Sequence, residues 1–161
     1  ESLYEYEETP EVEDFMKLLM IHGNLISNPE FKDGFNNWQI ETSLEERQYT
    51  LGKDGVFISS DANFDYSISQ TVDIEYTGEY IAAVEYRGTN TTGVEVELFM
   101  DVEDESGVHT YTSDIFPADV RFVTHLLKPV RLQKNARVTV GLRMHTPPVF
   151  AKIKKISLVV I

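Results

Sequence analysis

The residues of this chain that could do chemistry lie in stretches where apolar and polar side chains alternate. If Tyr80, Val84, Val96, Leu98, Val140, Leu142 and Met144 fill a core, the two-residue period of a strand turns Glu85, Arg87, Glu97, Phe99, Asp101, Arg143 and His145 the other way. That outward row holds an aromatic ring, two guanidinium groups, an imidazole and several carboxylates. Rings accept the C–H faces of pyranoses, and planar multi-donor groups pair with hydroxyls. The chemistry expected is therefore recognition of a polyhydroxylated ligand. Arg87, Phe99, Arg143 and His145 are the first candidates, with Asp101 beside them. Trp38, Tyr49, Tyr66 and Tyr111 supply further rings. Each has a plainer role to weigh against this one. Trp38 follows a glycine-containing loop and reads also as a wedge at the edge of the core. Arg87 and Arg143 could simply pair with Glu97 or Asp101. Tyr66 and Tyr86 share the core parity and read as buried. Phe99, set among Glu95, Glu97, Asp101 and Glu103, has no core-side role.

Catalysis is not expected. Glu85 and Asp101 could be imagined as a glycosidase's two carboxylates, but nothing desolvates one and solvates the other, as that chemistry requires. There is no phosphate-binding glycine loop, no Gly-x-Ser-x-Gly elbow and no His-Glu-x-x-His signature. His22, His109 and His125 are isolated and carry no assignment.

The elements that must position these groups follow from the same periodicity. Tyr66–Ile74, Tyr80–Tyr86, Val94–Glu103 and Arg137–His145 alternate, broken by Thr77-Gly78, Glu105-Ser106-Gly107 and Pro147-Pro148, and Ile153–Ile161 closes the chain. This predicts an all-β, two-sheet antiparallel sandwich over residues 24–161. Ahead of it, Thr9-Pro10 starts a short helix over residues 11–23, with Glu11, Glu13 and Asp14 in its first turn and Gly23 as its stop. Val12, Phe15, Met16 and Leu19 make one face of it, for packing on the sandwich or on a neighbouring domain. Residues 1–10 read as an acidic linker. A chain of 161 residues, with 42% apolar and 11% aromatic residues, suits a single globular domain. No run nears the roughly 20 apolar residues of a membrane span. The start at Glu1 rather than methionine suggests a mature or excised fragment, and without cysteine there is no disulfide framework.

Net charge is −13, and residues 1–14 hold seven carboxylates and no base. Residues 121–161 hold nine Lys or Arg and no acid. A nucleic-acid role for that basic tail is disfavoured by the overall acidity. Basic strands lying beside acidic ones account for it better.

Several landmarks carry a family resemblance. Asn24-Leu-Ile-Ser-Asn28-Pro-Glu-Phe31-Lys-Asp-Gly34-Phe-Asn-Asn-Trp38 resembles the opening of jelly-roll carbohydrate-binding modules. Ser67-Ile-Ser-Gln70-Thr-Val followed by Thr77-Gly78-Glu-Tyr80 resembles their glutamine strand and Gly-x-Tyr turn. Val84–Gly88 and Phe150–Leu158 are similar to the later strands. The order and distances fit families 4, 9 and 22, and Asp65–Val72 points to the galactan-binding family 61 of endo-β-1,4-galactanases. The resemblance implies a galactose-binding-like jelly roll: a secreted, non-catalytic module that binds a plant cell-wall polysaccharide, β-1,4-galactan first. It would bring an attached glycoside hydrolase to its polymer. Xylan or β-glucan are the alternative ligands, and a protein-binding adhesion or structural sandwich is the alternative class. Neither nucleic acid nor membrane is an expected partner. The resemblance also implies a structural calcium, held partly by a Glu after the opening Phe and by an Asp in the closing strand. Here those places read Phe31-Lys32 and Lys154-Lys155, and an ammonium offers no ligand to calcium. Either the ion is absent, an ammonium taking its place among carboxylates, or Glu30, Asp33, carbonyls and a later Asp substitute as ligands. Absence is the favoured expectation.

Overall fold

The computed structural model describes residues 10–60, 64–88, 95–115, 121–146 and 149–161. The expected linker up to Thr9, Val94 and the Pro147-Pro148 break lie outside the described residues. Among the described residues one α-helix, α1 (Pro10–His22), precedes eleven strands, with a 3-10 turn at Glu46–Gln48 between the first two: β1 (Gln39–Thr42), β2 (Tyr49–Gly52), β3 (Gly55–Ser60), β4 (Phe64–Asp73), β5 (Gly78–Gly88), β6 (Glu95–Asp104), β7 (Gly107–Asp114), β8 (Val123–Leu126), β9 (Val130–Leu132), β10 (Arg137–Thr146) and β11 (Val149–Val160). They form a front sheet in the order β1-β4-β10-β6-β7 and a back sheet in the order β2-β3-β11-β5-β8, with β9 also on β5. Every pairing is antiparallel. The all-β sandwich expected from the alternation is the fold.

Alternation explains the layering. Ile68, Leu98, Val140, Leu142 and Met144 from the front sheet meet Ile58, Val84, Tyr86, Ile153, Ile156 and Leu158 from the back, all fully buried. Each such side chain contributes about 1.5–3 kcal/mol relative to exposure. Burial pushes the phenols of Tyr66 and Tyr86 up, so both remain neutral inside the core. In β11 the register against β5 shifts between Ile153 and Lys155, a bulge that keeps Lys152 and Lys155 both on the outer side.

Ile81, Ala83 and Val159 break the alternation because their outer side is also covered. Phe15 of α1 packs on Ala83 and Val159, with Met16, Leu18 and Leu19 around them. The helix thus docks on the back sheet. Gly23 ends it at φ +80, donating its N–H to the Leu19 carbonyl at 2.9 Å.

The asparagine-rich opening is a structural clasp. Asn24 accepts from the backbone N–H groups of Ile26 and Leu158 and donates to Ser157 Oγ. Asn28, at φ 50, donates to the carbonyls of Gly34 and Asn36 and accepts from the N–H of Asp33. Residues 25–29 extend the edge of β11, with Leu25 N–H on the Leu158 carbonyl and Ile156 N–H on the Pro29 carbonyl. From the front sheet, buried Gln70 accepts from Ser27 N–H at 2.7 Å and donates to its carbonyl at 2.9 Å. One amide side chain satisfies both backbone groups of a residue that no strand pairs with.

Candidate functional site

The outer surface of the front sheet is built on β10, its central strand. In register, Glu41, Ser67, Arg143, Glu97 and Asp114 cross it in one row. Gln39, Ser69, Gly141, Phe99 and Thr112 make the next, and Thr71, Thr139, Asp101 and Thr110 the one beyond. Arg143 sits at the middle. Its guanidinium carbon lies 3.9 Å from the centroid of the diagonally placed Phe99 ring, a cation–π contact of roughly 0.5–2 kcal/mol. Its Nε is 3.5 Å from Glu97 Oε2 and its Nη2 4.0 Å from Asp101 Oδ1. Arg143 Nε is buried without a hydrogen-bond partner. Asp101 also accepts from Thr110 Oγ1 at 2.8 Å, and the hydroxyls of Thr71 and Thr139 share a bond of 2.9 Å. At one end His145 Nδ1 is 2.5 Å from Asp65 Oδ1. At the other Arg137 Nε is 3.4 Å from Asp73 Oδ1.

This arrangement is a sheet surface of short hydroxyl side chains around a guanidinium plane held between two carboxylates. It offers donors and acceptors at strand spacing to a ligand rich in hydroxyls. It also carries a sign: Glu41, Asp65, Glu95, Glu97, Asp101 and Asp114 surround Arg143 and His145, so a polyanion is disfavoured here.

The expected site residues separate. Phe99, Asp101, Arg143 and His145 share the front face. Phe99, however, is only 3% exposed, because Arg143 lies over it. It is the floor under a guanidinium rather than a bare stacking surface, and the polar parity that found it could not reveal what covers it. Arg87 is outward too, but on the back sheet, opposite Lys152 and 5.6 Å over the Phe150 ring. Parity assigns a side of a strand, not a sheet, and the grouping of Arg87 with Arg143 is corrected on that ground. Trp38 is 8% exposed, tilted on Phe31 at 5.0 Å, and donates Nε1–H to the Asn28 carbonyl. It is the core-edge wedge. Tyr49 packs edge-on against Phe35 and Tyr66 at the sandwich end, and Tyr66 is buried in the core. Tyr111 pairs with Met100, so it has the core parity on edge strand β7, 39% exposed. Glu85 and Asp101 are on different sheets and cannot act as a catalytic pair. Glu97 and Asp101, each about a third exposed, lack the apolar pocket an acid catalyst needs. Sequence reasoning missed the hydroxyl rows of β4 and β7; the signal was the Ser and Thr at alternate positions of both.

At the expected calcium place, lysines flank the carboxylate. Glu30 has Lys32 Nζ at 3.9 Å from one oxygen and Lys155 Nζ at 4.0 Å from the other. Among the described residues no three His, Cys, Asp or Glu side chains converge to hold a metal ion. A carboxylate flanked by two ammonium groups is a poor donor for a divalent cation, and the residues do not fit calcium at this place.

A cleft of about 390 Å³ at the loop end, lined by Asp104, Ser106, Gln133 and Asn135, is polar and has no aromatic side chain. There Ser106 donates to Asp104, holding its carboxyl below the usual range.

No family model matches the chain, and no curated protein matches it by sequence. Solved structures do match by fold. TmCBM61, determined in complex with β-1,4-galactotriose, is 16% identical with a TM-score of 0.69, over 86% of this chain and 99% of that one. The CBM22-1 xylan-binding domain of Paenibacillus barcinonensis Xyn10C is 8% identical with a TM-score of 0.56, over 82% and 91%. The enzymatically active domain of tailspike protein 4 from bacteriophage CBA120 is 14% identical with a TM-score of 0.68, over 86% of this chain but 21% of the tailspike. The fold is that of the β-sandwich carbohydrate-binding modules, as the sequence landmarks implied. The particular likeness to TmCBM61 spans almost the whole of that module.

Proposed function

We propose that this chain is a non-catalytic module that binds a neutral plant cell-wall polysaccharide on the front sheet, with β-1,4-galactan as its ligand. The observation that carries this reading is the Arg143–Phe99 stack, flanked by Glu97 and Asp101 at the centre of a hydroxyl-bearing sheet face. Arg143 presents a planar, multi-donor surface that a pyranose can lie on and hydrogen-bond to. Glu97, Asp101 and the half-buried Ser67 lie beside it to accept from sugar hydroxyls. The acidic surroundings turn uronate-rich chains away and leave neutral ones. The higher structural similarity to a galactotriose-bound module, TM-score 0.69 against 0.56 for a xylan-binding one, supports galactan over xylan. In a longer secreted protein the module would hold a glycoside hydrolase near its polymer, raising the local substrate concentration.

Affinity electrophoresis against galactan, xylan, β-glucan and mannan tests this. Retardation by galactan, lost in Arg143→Ala, is the expected result. Retardation by none would instead favour a protein-contacting sandwich, a reading that the exposed Met20 and Ile21 of α1, 85% and 75% accessible, give some footing. Release of reducing sugar from any of these polymers would overturn the non-catalytic assignment.

A further inference from the structure

The back sheet carries a second surface with the opposite charge character. At the β3–β11 end its outer side bears Phe57 and Phe150, rings 5.5 Å apart and inclined at 59°. Both are half-buried, and both lie on the side of the sheet that faces away from the core. Lys152 Nζ stands 5.8 Å from each ring, and the Arg87 guanidinium is 5.6 Å from Phe150. Next to them the β2–β3 turn makes a cavity of about 240 Å³, lined by Thr50, Gly52, Lys53, Asp54, Phe57 and Lys152. Among the described residues neither Lys53 nor Lys152 has an ion pair. The opening is smaller than the ~300 Å³ at which drug-sized pockets begin, which suits one sugar residue. Among the described residues, Asp54 stands in the cavity wall and Glu85 lies opposite Lys155 further along the sheet.

We infer that this surface is a separate saccharide site for an acidic sugar, a uronate residue of a polysaccharide. Phe57, which lines the cavity and is braced by the inclined Phe150 ring, takes the C–H face of a pyranose. Lys152 at its mouth, and Lys53 across the cavity, pair with the carboxylate, while Asp54 accepts from a ring hydroxyl. Charge complementarity selects the occupant. The chain as a whole is strongly acidic, at −13, and repels polyanions at long range. At ordinary salt, charges beyond about 10 Å are screened, so the local cations decide. The two outer faces then sort their ligands by charge: neutral chains on the front, acidic residues on the back.

Calorimetric titration of the whole chain with trigalacturonate tests this, using wild type, Lys152→Gln, Phe57→Ala and Arg143→Ala at about 50 and about 300 mM NaCl. The expected result is binding at low salt that weakens with added salt, falls about tenfold or more in Lys152→Gln and Phe57→Ala, and is unchanged in Arg143→Ala. Neutral galactotriose does not compete. Absence of binding to folded wild type at low salt overturns the inference. So does binding that survives Lys152→Gln and Phe57→Ala but is lost in Arg143→Ala, which would place the anion on the front sheet. Galactan binding is scored separately, so its failure leaves this result readable.

Discussion

Arg143 does work that a lysine could not. Its guanidinium is flat enough to lie on Phe99 at 3.9 Å and broad enough to reach both Glu97 and Asp101; an ammonium is a point charge on a flexible stem. Arg143→Lys is therefore expected to weaken saccharide binding about tenfold or more, about 1.4 kcal/mol per tenfold, with the melting temperature nearly unmoved; calorimetric titration checks it. Phe99→Leu keeps the apolar floor and removes the π face. It should reduce affinity less than Arg143→Ala while lowering stability slightly, measured by the same titration and a thermal melt. Affinity equal to wild type in both variants would show that the stack has no part in binding. At this scale the sequence was half legible. Alternation put Phe99, Asp101, Arg143 and His145 on one side of their strands. It could not say that Arg143 covers Phe99, since a diagonal contact depends on register between β6 and β10. Nor could it separate Arg87, whose strand belongs to the other sheet.

Between elements, the contacts that set the sheets are sharp enough to test. A Cβ on Gly141 would stand 2.1 Å from the Ile68 carbonyl oxygen and 2.7 Å from Ser69 Cβ. Gly141→Ala should push β4 from β10 and cost about 1–3 kcal/mol by overpacking, read by chemical denaturation. Gln70→Leu strips two bonds from the backbone of Ser27. Ser27 is exposed, so the loss is the net worth of each bond, about 0.5–1.5 kcal/mol, and the melt should drop accordingly. Under α1, His125 Nε2 is buried without a partner, and burial holds the imidazole below its ordinary value of 6.5. A folded pKa below the unfolded one means the unfolded chain binds the extra proton. Stability is then fully present above about 6.5 and falls with pH through the window beneath it. Thermal melts between pH 7.5 and pH 5, at roughly half-unit steps, should show a decline in wild type that is shallower in His125→Gln; parallel declines would deny His125 this role. The helix and the strands β4, β5, β6, β10 and β11 were legible because their periodicity is long and strict; β7 was missed because its side chains are almost all exposed and show no apolar row, and β3 because its apolar residues run together. The short β1, β2, β8 and β9 were not, being three or four residues each, too few to establish a period. The function of Gln70 as a clasp on Ser27 was likewise hidden, because nothing in a sequence says which residue forty-three positions away a side chain will meet.

Over the whole molecule, an acidic front face around Arg143 and a lysine-bearing patch at the β3–β11 end of the back sheet flank one apolar core, and two lysines flank Glu30 where the sequence resemblance implied calcium. The melting temperature is accordingly expected to be the same in excess EDTA and in millimolar calcium. A rise of several degrees with calcium would mean that other oxygens gather round the ion. The overall architecture was the most legible level, since turn residues at short intervals between alternating runs admit little besides a sandwich. The choice of binding face was the least, because it depends on how register brings four strands together. The most direct test of that choice is an NMR titration with β-1,4-galactotriose, following backbone amides. The account predicts saturable shifts centred on Ser67, Glu97, Asp101 and Arg143, with the back sheet and the Asp104–Asn135 cleft silent. Shifts confined to that cleft or to the back sheet, with the front sheet unmoved, would contradict it.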